Sequence, residues 1–317
     1  MKHIFIINPI AGKGKLQEDI EKTIHQKLKT KSIDYEVYIS KYKGDIQNFI
    51  SNKVNENTQT VFYACGGDGT LHEVVNACVD YNNTYVGVIP CGSGNDFVKN
   101  FNNFQLFNDI EYQVQGEAIN LDLIKVENEY AVSVCNIGFD ADAAFSMHKF
   151  KKIPFITGSG CYIMSVIYNL SKKLGKELKV VIDNNELLSG SFLLGVVANG
   201  HSYGGGYKCA PKALINDGIM DLCFVNNLSR FKIMSLISSY KEGTHLTNEK
   251  LKDIITYKKC ELVEIISKEP INICIDGENF IHDKVELKII KNKLKFWLPK
   301  GVHVQPSNFF ATAQDDK

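Results

Sequence analysis

Apolar and polar positions follow a strand–helix rhythm along the first 100 residues. Short apolar runs predict buried strands at residues 4–7, 35–39, 61–64 and 85–89. Between them, apolar residues recur at helical spacing and predict helices at residues 15–28, 45–54 and 71–79. This alternation is typical of an α/β fold, with a doubly wound parallel sheet in the N-terminal domain.

The pattern changes after about residue 120, where segments of β type dominate. Strands are predicted at residues 121–126, 130–136, 178–183, 191–198, 219–225, 262–267, 271–275 and 285–290, and helices near 160–174 and 231–240. The sequence therefore predicts a parallel-sheet domain at residues 1–120 and a β-rich, mostly antiparallel domain at residues 121–305. We expect the polar tail, residues 306–317, to fray or to return to the first domain.

Composition narrows the functional classes. Thirty-six basic and 36 acidic residues leave no net charge, so we expect no nucleic-acid partner. The nine cysteines lack metal-binding spacing and favour a reducing cytoplasm. The sequence contains no run of eighteen apolar residues, and its N-terminal apolar run is too short for a signal peptide. We therefore expect a cytoplasmic protein without a transmembrane segment, in peripheral contact with a membrane at most.

A glycine turn follows the third predicted strand. Gly66, Gly67 and Gly69 allow the backbone to approach a phosphate, which the free N–H groups of a helix N-terminus would bind. Thr70 and Glu73 have the spacing of a capping box, so the helix is predicted to start at Thr70.

Asp68 lies in the middle of this glycine turn. A carboxylate there would be repelled by a bound polyphosphate by roughly 4 kcal/mol at about 4 Å, unless a cation offset the charge. Mg²⁺ is commonly held by one or two carboxylates together with phosphate oxygens, so the turn indicates a Mg²⁺-nucleotide site. The alternative is that Asp68 serves only a tight turn. Gly14-Lys15 is not part of a Walker A motif, because Leu16 stands where that motif has Ser or Thr.

Several motifs then occur in a fixed order. They are Asn8-Pro9 with Gly12, Gly66-Gly-Asp-Gly-Thr-Leu-His-Glu-Val-Val-Asn76, Ile89-Pro-Cys-Gly-Ser-Gly-Asn-Asp-Phe97, Asn199-Gly-His-Ser-Tyr-Gly-Gly-Gly-Tyr207, residues 210–221, and Ile275-Asp-Gly-Glu278. Together they resemble the diacylglycerol kinase catalytic-domain family, which includes sphingosine kinases and soluble bacterial lipid kinases. Gly-Gly-Asp-Gly-Thr alone also occurs in NAD kinases and phosphofructokinases. Ser93 stands where the family usually has threonine, and it keeps the hydroxyl.

The resemblance implies an ATP- and Mg²⁺-dependent lipid kinase with a nucleotide-binding first domain and a lipid-substrate second domain. Its first candidate reaction converts diacylglycerol into phosphatidic acid, with Asp276 as catalytic base. The implied nucleotide contacts are Asn8, Pro9, Gly12, Ser40, Gly66, Gly67, Asp68, Gly69, Thr70, Glu73, Ser93 and Glu278. The implied ligands of the catalytic Mg²⁺ are Asp68, Asp96 and Asp122. A second, structural metal would be held by Asp217 and by the backbone carbonyls of Leu214 and Ile219.

These assignments have structural alternatives. Asp276-Gly277 is also a strong signal for a hairpin turn. Asp96 could cap a helix, Asp122 could be an exposed strand residue, and the turn around Asp217 could bind no metal. No histidine is assigned to chemistry, and His72 is predicted to lie on the helix surface.

A lysine-rich segment suggests how the lipid is reached. Residues 149–179 hold seven lysines and one glutamate. Within this segment, apolar residues recur at helical spacing at Ile163, Val166, Ile167, Leu170 and Leu174. The pattern predicts docking on anionic lipid headgroups; the alternative is a helix packed on its own domain.

Other functions remain open at the level of sequence. The acceptor could be another lipid alcohol, such as a sphingoid base or phosphatidylglycerol. An NAD kinase and a non-catalytic nucleotide-binding regulator are the further alternatives. We expect a lipid substrate at a membrane surface as partner, and a homodimer is left open.

Overall fold

A computed structural model of the protein describes residues 1–10, 16–150 and 158–306. The described chain divides into two compact units. The first comprises residues 1–123, 215–217 and 290–306, and the second comprises residues 124–214 and 218–289. The sequence-based division differs, because it assigned residues 290–305 to the second domain. Residues 307–317, most of the predicted tail, lie outside the described residues.

The first unit alternates strands and helices. Its elements are β1 (Lys2–Ile7), α1 (Leu16–Leu28), β2 (Asp34–Ile39), α2 (Asp45–Lys53), β3 (Thr60–Gly66), α3 (Asp68–Cys78), β4 (Thr84–Pro90) and α4 (Ile110–Val114), with 3₁₀ segments at Phe97–Asn100 and Phe104–Asn108. Strands β2, β1, β3 and β4 are neighbours in that order and all are parallel. The predicted α/β fold with a parallel sheet is confirmed.

The core of the first unit explains why its strands read as continuous apolar runs. Every residue of β3 is buried, as expected for a central strand of a parallel sheet with both faces covered. Phe5 of β1 stacks on Tyr63 of β3, with ring centroids 4.5 Å apart. Residues 290–298 belong here because Phe296 pairs in parallel with Val86 of β4 and is fully buried.

The second unit is rich in antiparallel strands. The chain enters it through β5 (Glu117–Val126), and the further elements are β6 (Glu129–Ala131), β7 (Val134–Gly138), α5 (Phe139–Phe150), α6 (Gly158–Leu170), β8 (Lys176–Ile182), β9 (Glu186–Ala198), β10 (Met220–Asn226), α7 (Arg230–Glu242), β11 (Ile255–Cys260), β12 (Leu262–Ile275) and β13 (Glu278–Leu298). The strand order is β11, β10, β9, β7, β12, β13. Strand β8 pairs with β9 and β12, and so does β7, so these four strands close into a ring. The predicted antiparallel character is confirmed, whereas α5 and β11 were not predicted.

Among the helices that the structure describes, none is both long and apolar enough to cross a membrane.

Candidate functional site

The carboxyl ends of the parallel strands meet at one edge of the first unit. The backbone N–H of Asn8 donates to Cys65 O at 3.1 Å, and that of Ser40 donates to Ile7 O at 2.9 Å. Ligands of open α/β sheets bind at this edge, so Asn8, Ser40 and the glycine turn after β3 have the expected placement. Of the other predicted contacts in the first loop, Pro9 is half-buried, whereas Gly12 lies outside the described residues.

Helix α3 starts two residues earlier than predicted. It begins at Asp68, and its cap residue is Gly67, whose O accepts the N–H groups of Thr70 and Leu71 at 3.0 and 3.1 Å. The predicted capping box between Thr70 and Glu73 is therefore wrong. Because Gly67 is extended (φ −95°, ψ −170°), its backbone starts the helix without a side-chain cap. The Thr70 hydroxyl instead accepts a hydrogen bond from Asn8 Nδ2 at 3.0 Å.

The glycines of this turn are required by close packing. A Cβ at Gly66 would lie 2.2 Å from Thr70 Oγ1, and a Cβ at Gly92 would lie 2.5 Å from the Cα of Gly67. The loops after β3 and β4 therefore touch backbone to backbone. Any side chain at Gly92 would push them apart.

Asp68 connects the same two loops. Its Oδ1 accepts the backbone N–H of Phe97, at the start of the first 3₁₀ segment, at 3.2 Å. Asn95 fixes the second loop, since its Oδ1 accepts from Gly92 N at 2.9 Å. Ser93 is exposed in that loop, and Asp68 is half-buried. The carboxylate of Asp68 thus has a structural bond, and Asp68 also lines a small cavity together with Gly67, Pro90 and Phe97.

Asp96 and Asp122 contact other groups. Asp96 Oδ1 lies 2.6 Å from Lys99 Nζ, and its side chain does not cap the 3₁₀ segment that follows. Asp122 is 2% exposed and accepts the backbone N–H of Asn292 at 2.7 Å, so its alternative as an exposed strand residue is wrong. Among the described residues, no group of three or more His, Cys, Asp or Glu side chains could hold a metal ion.

The predicted structural-metal turn is divided between the units. Asp217 belongs to the first unit, whereas Leu214 and Ile219 belong to the second. Within the first unit, the neighbouring Ile215 O accepts the backbone N–H of Asp122 at 2.9 Å. The metal at Asp217 stays a prediction.

In the second unit, Asp276 and Gly277 form the two-residue turn between β12 and β13. Both have positive φ, 48° and 97°, as a type I′ turn requires, and Ile275 pairs with Glu278 across it. The hairpin interpretation is therefore confirmed. Glu278 is half-buried directly after the turn.

The Asp276 carboxylate is held by three consecutive backbone amides. Its Oδ2 accepts from Val132 N at 2.6 Å, and its Oδ1 accepts from Ser133 N and Val134 N at 2.9 and 3.0 Å. Its own backbone N–H donates to Val134 O at 3.0 Å. We call residues 132–134 the amide cradle. Its three bonds fix the orientation of the carboxylate.

Asn199 holds the amide cradle through its carbonyl groups. Its Nδ2 donates to Val132 O at 3.1 Å, and its backbone N–H donates to Ser133 O at 2.8 Å. Sequence reasoning gave Asn199 no role. Its position at the start of a motif shared with the family was the signal that could have found it.

Two further polar residues, His72 and Asp140, are buried. His72 is 4% exposed, so its prediction as a surface residue is wrong. Asp140, at the start of α5, accepts a hydrogen bond from the Tyr203 hydroxyl, and burial raises the pKa of its carboxyl to about 6. This bond ties the glycine-rich turn of residues 203–207 to α5.

Comparison with known protein families shows which family this chain belongs to. Residues 2–126 match the diacylglycerol kinase catalytic domain, and residues 133–296 match the YegS C-terminal NAD kinase beta sandwich-like domain. The second match alone spans more than half of the chain. The chain belongs to the diacylglycerol kinase-like lipid kinase family.

Individual relatives of this lipid kinase agree with the family match. A protein of Shewanella frigidimarina described as "Probable lipid kinase YegS-like" is 25% identical over 307 residues, which cover 94% of each chain. A diacylglycerol kinase of Staphylococcus aureus (strain bovine RF122 / ET3-1) is 26% identical over 278 residues, covering 86% of this chain and 84% of that one. The crystal structure of a diacylglycerol kinase from Bacillus anthracis shares the fold, with a TM-score of 0.66 at 19% identity over 94% of this chain and 97% of that one.

Proposed function

We propose that this lipid kinase transfers the γ-phosphoryl group of ATP to the hydroxyl of diacylglycerol and releases phosphatidic acid. The observation that supports this most is the glycine turn at the start of α3. There, backbone amides, a helix N-terminus and the half-buried carboxylate of Asp68 lie at the ligand-binding edge of a parallel sheet.

In this proposal the first unit binds the nucleotide. The amides of Gly67 and Gly69 and the N-terminus of α3 would bind phosphate oxygens, because aligned peptide dipoles leave about half a positive charge there. The Asn8–Thr70 bond holds the loop after β1 against this turn. Ser40, Glu73, Ser93 and Glu278 stay predicted nucleotide contacts, as do Pro9 and Gly12.

A magnesium ion fits the donor chemistry of the turn. Asp68 supplies a half-buried carboxylate, the hard oxygen ligand that Mg²⁺ prefers alongside waters and phosphate oxygens. When bound, the ion would neutralise phosphate charge during transfer. Asp68 is the first candidate ligand, because its carboxylate is half-buried in the turn itself, whereas Asp96 is paired with Lys99 and Asp122 is only 2% exposed.

Asp276 acts as the base in this proposal. Its carboxylate would accept the proton of the lipid hydroxyl as the oxygen attacks the γ-phosphorus. The amide cradle keeps the carboxylate from rotating, so the Asp276 side chain loses less rotational freedom when the lipid hydroxyl binds. Asn199 supports this arrangement by holding two carbonyls of the cradle.

The acceptor lipid lies in a membrane, so peripheral contact with a membrane surface is part of the proposal. A homodimer stays a prediction that no observation supports. The cytoplasmic location is proposed from the spacing of the nine cysteines, which is not that of a disulfide or metal framework.

A panel of acceptors tests the function. Purified protein, labelled ATP and Mg²⁺ are incubated in mixed micelles with diacylglycerol, a sphingoid base or phosphatidylglycerol, and in parallel with NAD. We expect label in phosphatidic acid. Label in another lipid would identify a different acceptor for the same phosphoryl transfer. Label in NADP would show that the protein is an NAD kinase and not a lipid kinase. If no acceptor is labelled, the protein is a nucleotide-binding regulator and the proposal is wrong.

A further inference from the structure

Helices α6 and α7 of the second unit expose large apolar side chains at ends that lie together. Phe231 is 92% exposed, Ile167 57% and Met164 38%. Arg230, the single arginine of the sequence, joins the two helices: its Nε donates to Leu170 O at 2.7 Å and its Nη2 donates to Lys172 O at 3.0 Å. The start of α7 is thereby fixed against the end of α6. We call Met164, Ile167 and Phe231 the apolar patch.

The patch lies on a well-packed scaffold. The opposite faces of the same helices are core, where Val166, Leu170 and Leu174 pack with buried residues that include Ile233 and Leu236. Three residues of the predicted headgroup-docking pattern are therefore partly buried against the core of their own unit, as the alternative interpretation of this segment expected. The exposed residues belong to the other face of α6 and to the first turn of α7.

Polar contacts also hold α6 against α5. Ser165 is fully buried and donates to Ala143 O, and Asn169 Nδ2 donates to Ser146 Oγ at 3.1 Å. The patch thus has a rigid support. Its exposure does not result from a loosely packed helix.

Basic residues are frequent in the stretches of sequence that contain the apolar patch, and acidic residues are absent from the same stretches. Residues 143–176 contain six lysines and neither Asp nor Glu, and residues 222–241 contain Arg230, Lys232 and Lys241 with no acidic residue. Lys149 and Lys172 lie over the ring of Tyr168 at 4.9 and 4.2 Å from its centroid, next to Ile167 in sequence. Lys232 is exposed directly after Phe231.

We propose that the apolar patch and its basic rim form the surface by which this lipid kinase docks on an anionic membrane. Phe231 and Ile167 enter the headgroup region, and the lysines contact lipid phosphates. The inference deepens the proposed function, since a kinase acting on a membrane lipid must reach the bilayer. A second copy of the chain is a poorer occupant, because it would bring two positive rims together and because three side chains fall far short of the roughly 800 Å² per partner of a stable interface.

Tryptophan fluorescence provides a direct test. The wild-type chain contains one tryptophan, Trp297, which is 8% exposed in the first unit. In Phe231→Trp we expect a blue shift of the emission when vesicles of phosphatidylcholine with phosphatidylglycerol are added, and little shift with phosphatidylcholine alone. Phe104→Trp is the matched control, because Phe104 is 39% exposed in the first unit and should show no shift.

Co-sedimentation with the same vesicles gives the second measurement. Phe231→Ser should bind at least about tenfold more weakly, since burying a phenylalanine side chain changes partitioning by roughly 10- to 100-fold. Its circular dichroism should match that of the wild type, because the removed ring is almost fully exposed. Binding should also fall at high salt.

The outcomes separate this inference from the proposed function. An unshifted Phe231→Trp spectrum on anionic vesicles, or wild-type binding by Phe231→Ser, would overturn the docking surface even if dispersed short-chain diacylglycerol is phosphorylated. A wild-type dimer on size exclusion that Phe231→Ser converts into a monomer would assign the patch to a second copy. If vesicles are bound as expected but no lipid is ever phosphorylated, the docking surface stands and the kinase proposal falls.

Discussion

Replacing Asp276 by asparagine removes the charge of the proposed base and also disturbs the amide cradle. Asparagine keeps one oxygen, which can still accept from Ser133 N and Val134 N, the two donors to Oδ1. The side-chain NH₂ then faces Val132 N, which donates to Oδ2 at 2.6 Å in the wild type. One buried donor therefore loses its acceptor.

The expected loss of stability follows from these contacts. An unsatisfied buried donor costs about 1–3 kcal/mol, and bonds to a charged acceptor exceed neutral ones by about 1 kcal/mol each. With two such bonds remaining, Asp276→Asn should lower the free energy of unfolding by about 3–5 kcal/mol. A loss of activity alone would not identify the base, so activity must be scaled to the folded fraction.

Asp183 provides a matched control. It also adopts positive φ, 47°, after strand β8, and its Oδ1 accepts the backbone N–H groups of Glu261 and Leu262 at 3.0 and 2.9 Å. Asp183→Asn removes a charge of the same kind but keeps the accepting oxygen. Its turnover should match that of the wild type.

Unfolding in denaturant, ATP binding and initial rates are measured on both variants below their melting temperatures. Folded Asp276→Asn should bind ATP normally and lose a factor of about 10² to 10⁴ in kcat, the usual contribution of a general base. Wild-type kcat in folded Asp276→Asn would refute the role of Asp276. An equal loss of kcat in Asp183→Asn would show that the effect is structural.

Three other substitutions test the glycine turn and the buried acid. Gly92→Ala should cost about 1–3 kcal/mol of stability and weaken ATP binding, because its Cβ would meet the neighbouring backbone, whereas Gly190→Ala, with no atom within 4 Å, should be nearly neutral in both measurements. Asp68→Asn keeps the acceptor for a backbone N–H but should raise the Mg²⁺ concentration for half-maximal rate at least about tenfold; an unchanged Mg²⁺ titration would exclude it as a ligand. The pKa of Asp140 is raised from 3.8 to about 6, so the folded state binds the proton more tightly and wild-type stability should fall as pH rises from about 4 to about 6. Asp140→Asn should remove this pH dependence of stability and raise the free energy of unfolding by up to about 3 kcal/mol near pH 7. Denaturant unfolding measures both, with the exposed Asp253→Asn as control. An unchanged pH dependence in Asp140→Asn would show that Asp140 is not its cause.

The fold of the first unit could be predicted because its strands are buried along their length and its helices on one face. Continuous apolar runs for the strands and helical spacing of apolar residues for the helices are both visible in the sequence. The start of α3 could not be predicted, since Gly67 begins the helix through its backbone alone while Thr70 and Glu73 imitate a capping box. The alternating pattern of β13 likewise gives no sign that its residues after 289 join the first unit.

Candidate site residues could be named from the sequence, whereas the groups that bond them could not. The glycine turn made Asp68 a candidate, and the family resemblance made Asp276 one. The donors to Asp276 lie 142 to 144 positions earlier in the chain, and backbone amides leave no signature in sequence. The burial of Asp122 and His72 was missed for a related reason, because local patterns do not show which face of an element meets the rest of the fold.

The central claim is the transfer of phosphoryl from ATP to a lipid hydroxyl, and a single-turnover experiment tests it most directly. Wild-type protein in excess over γ-labelled ATP is mixed with Mg²⁺ and diacylglycerol micelles, quenched at intervals and separated into lipid, inorganic phosphate, nucleotide and protein. We predict that label moves from ATP to phosphatidic acid in one phase. Label that stays in ATP, or that appears as inorganic phosphate regardless of lipid, would contradict the account.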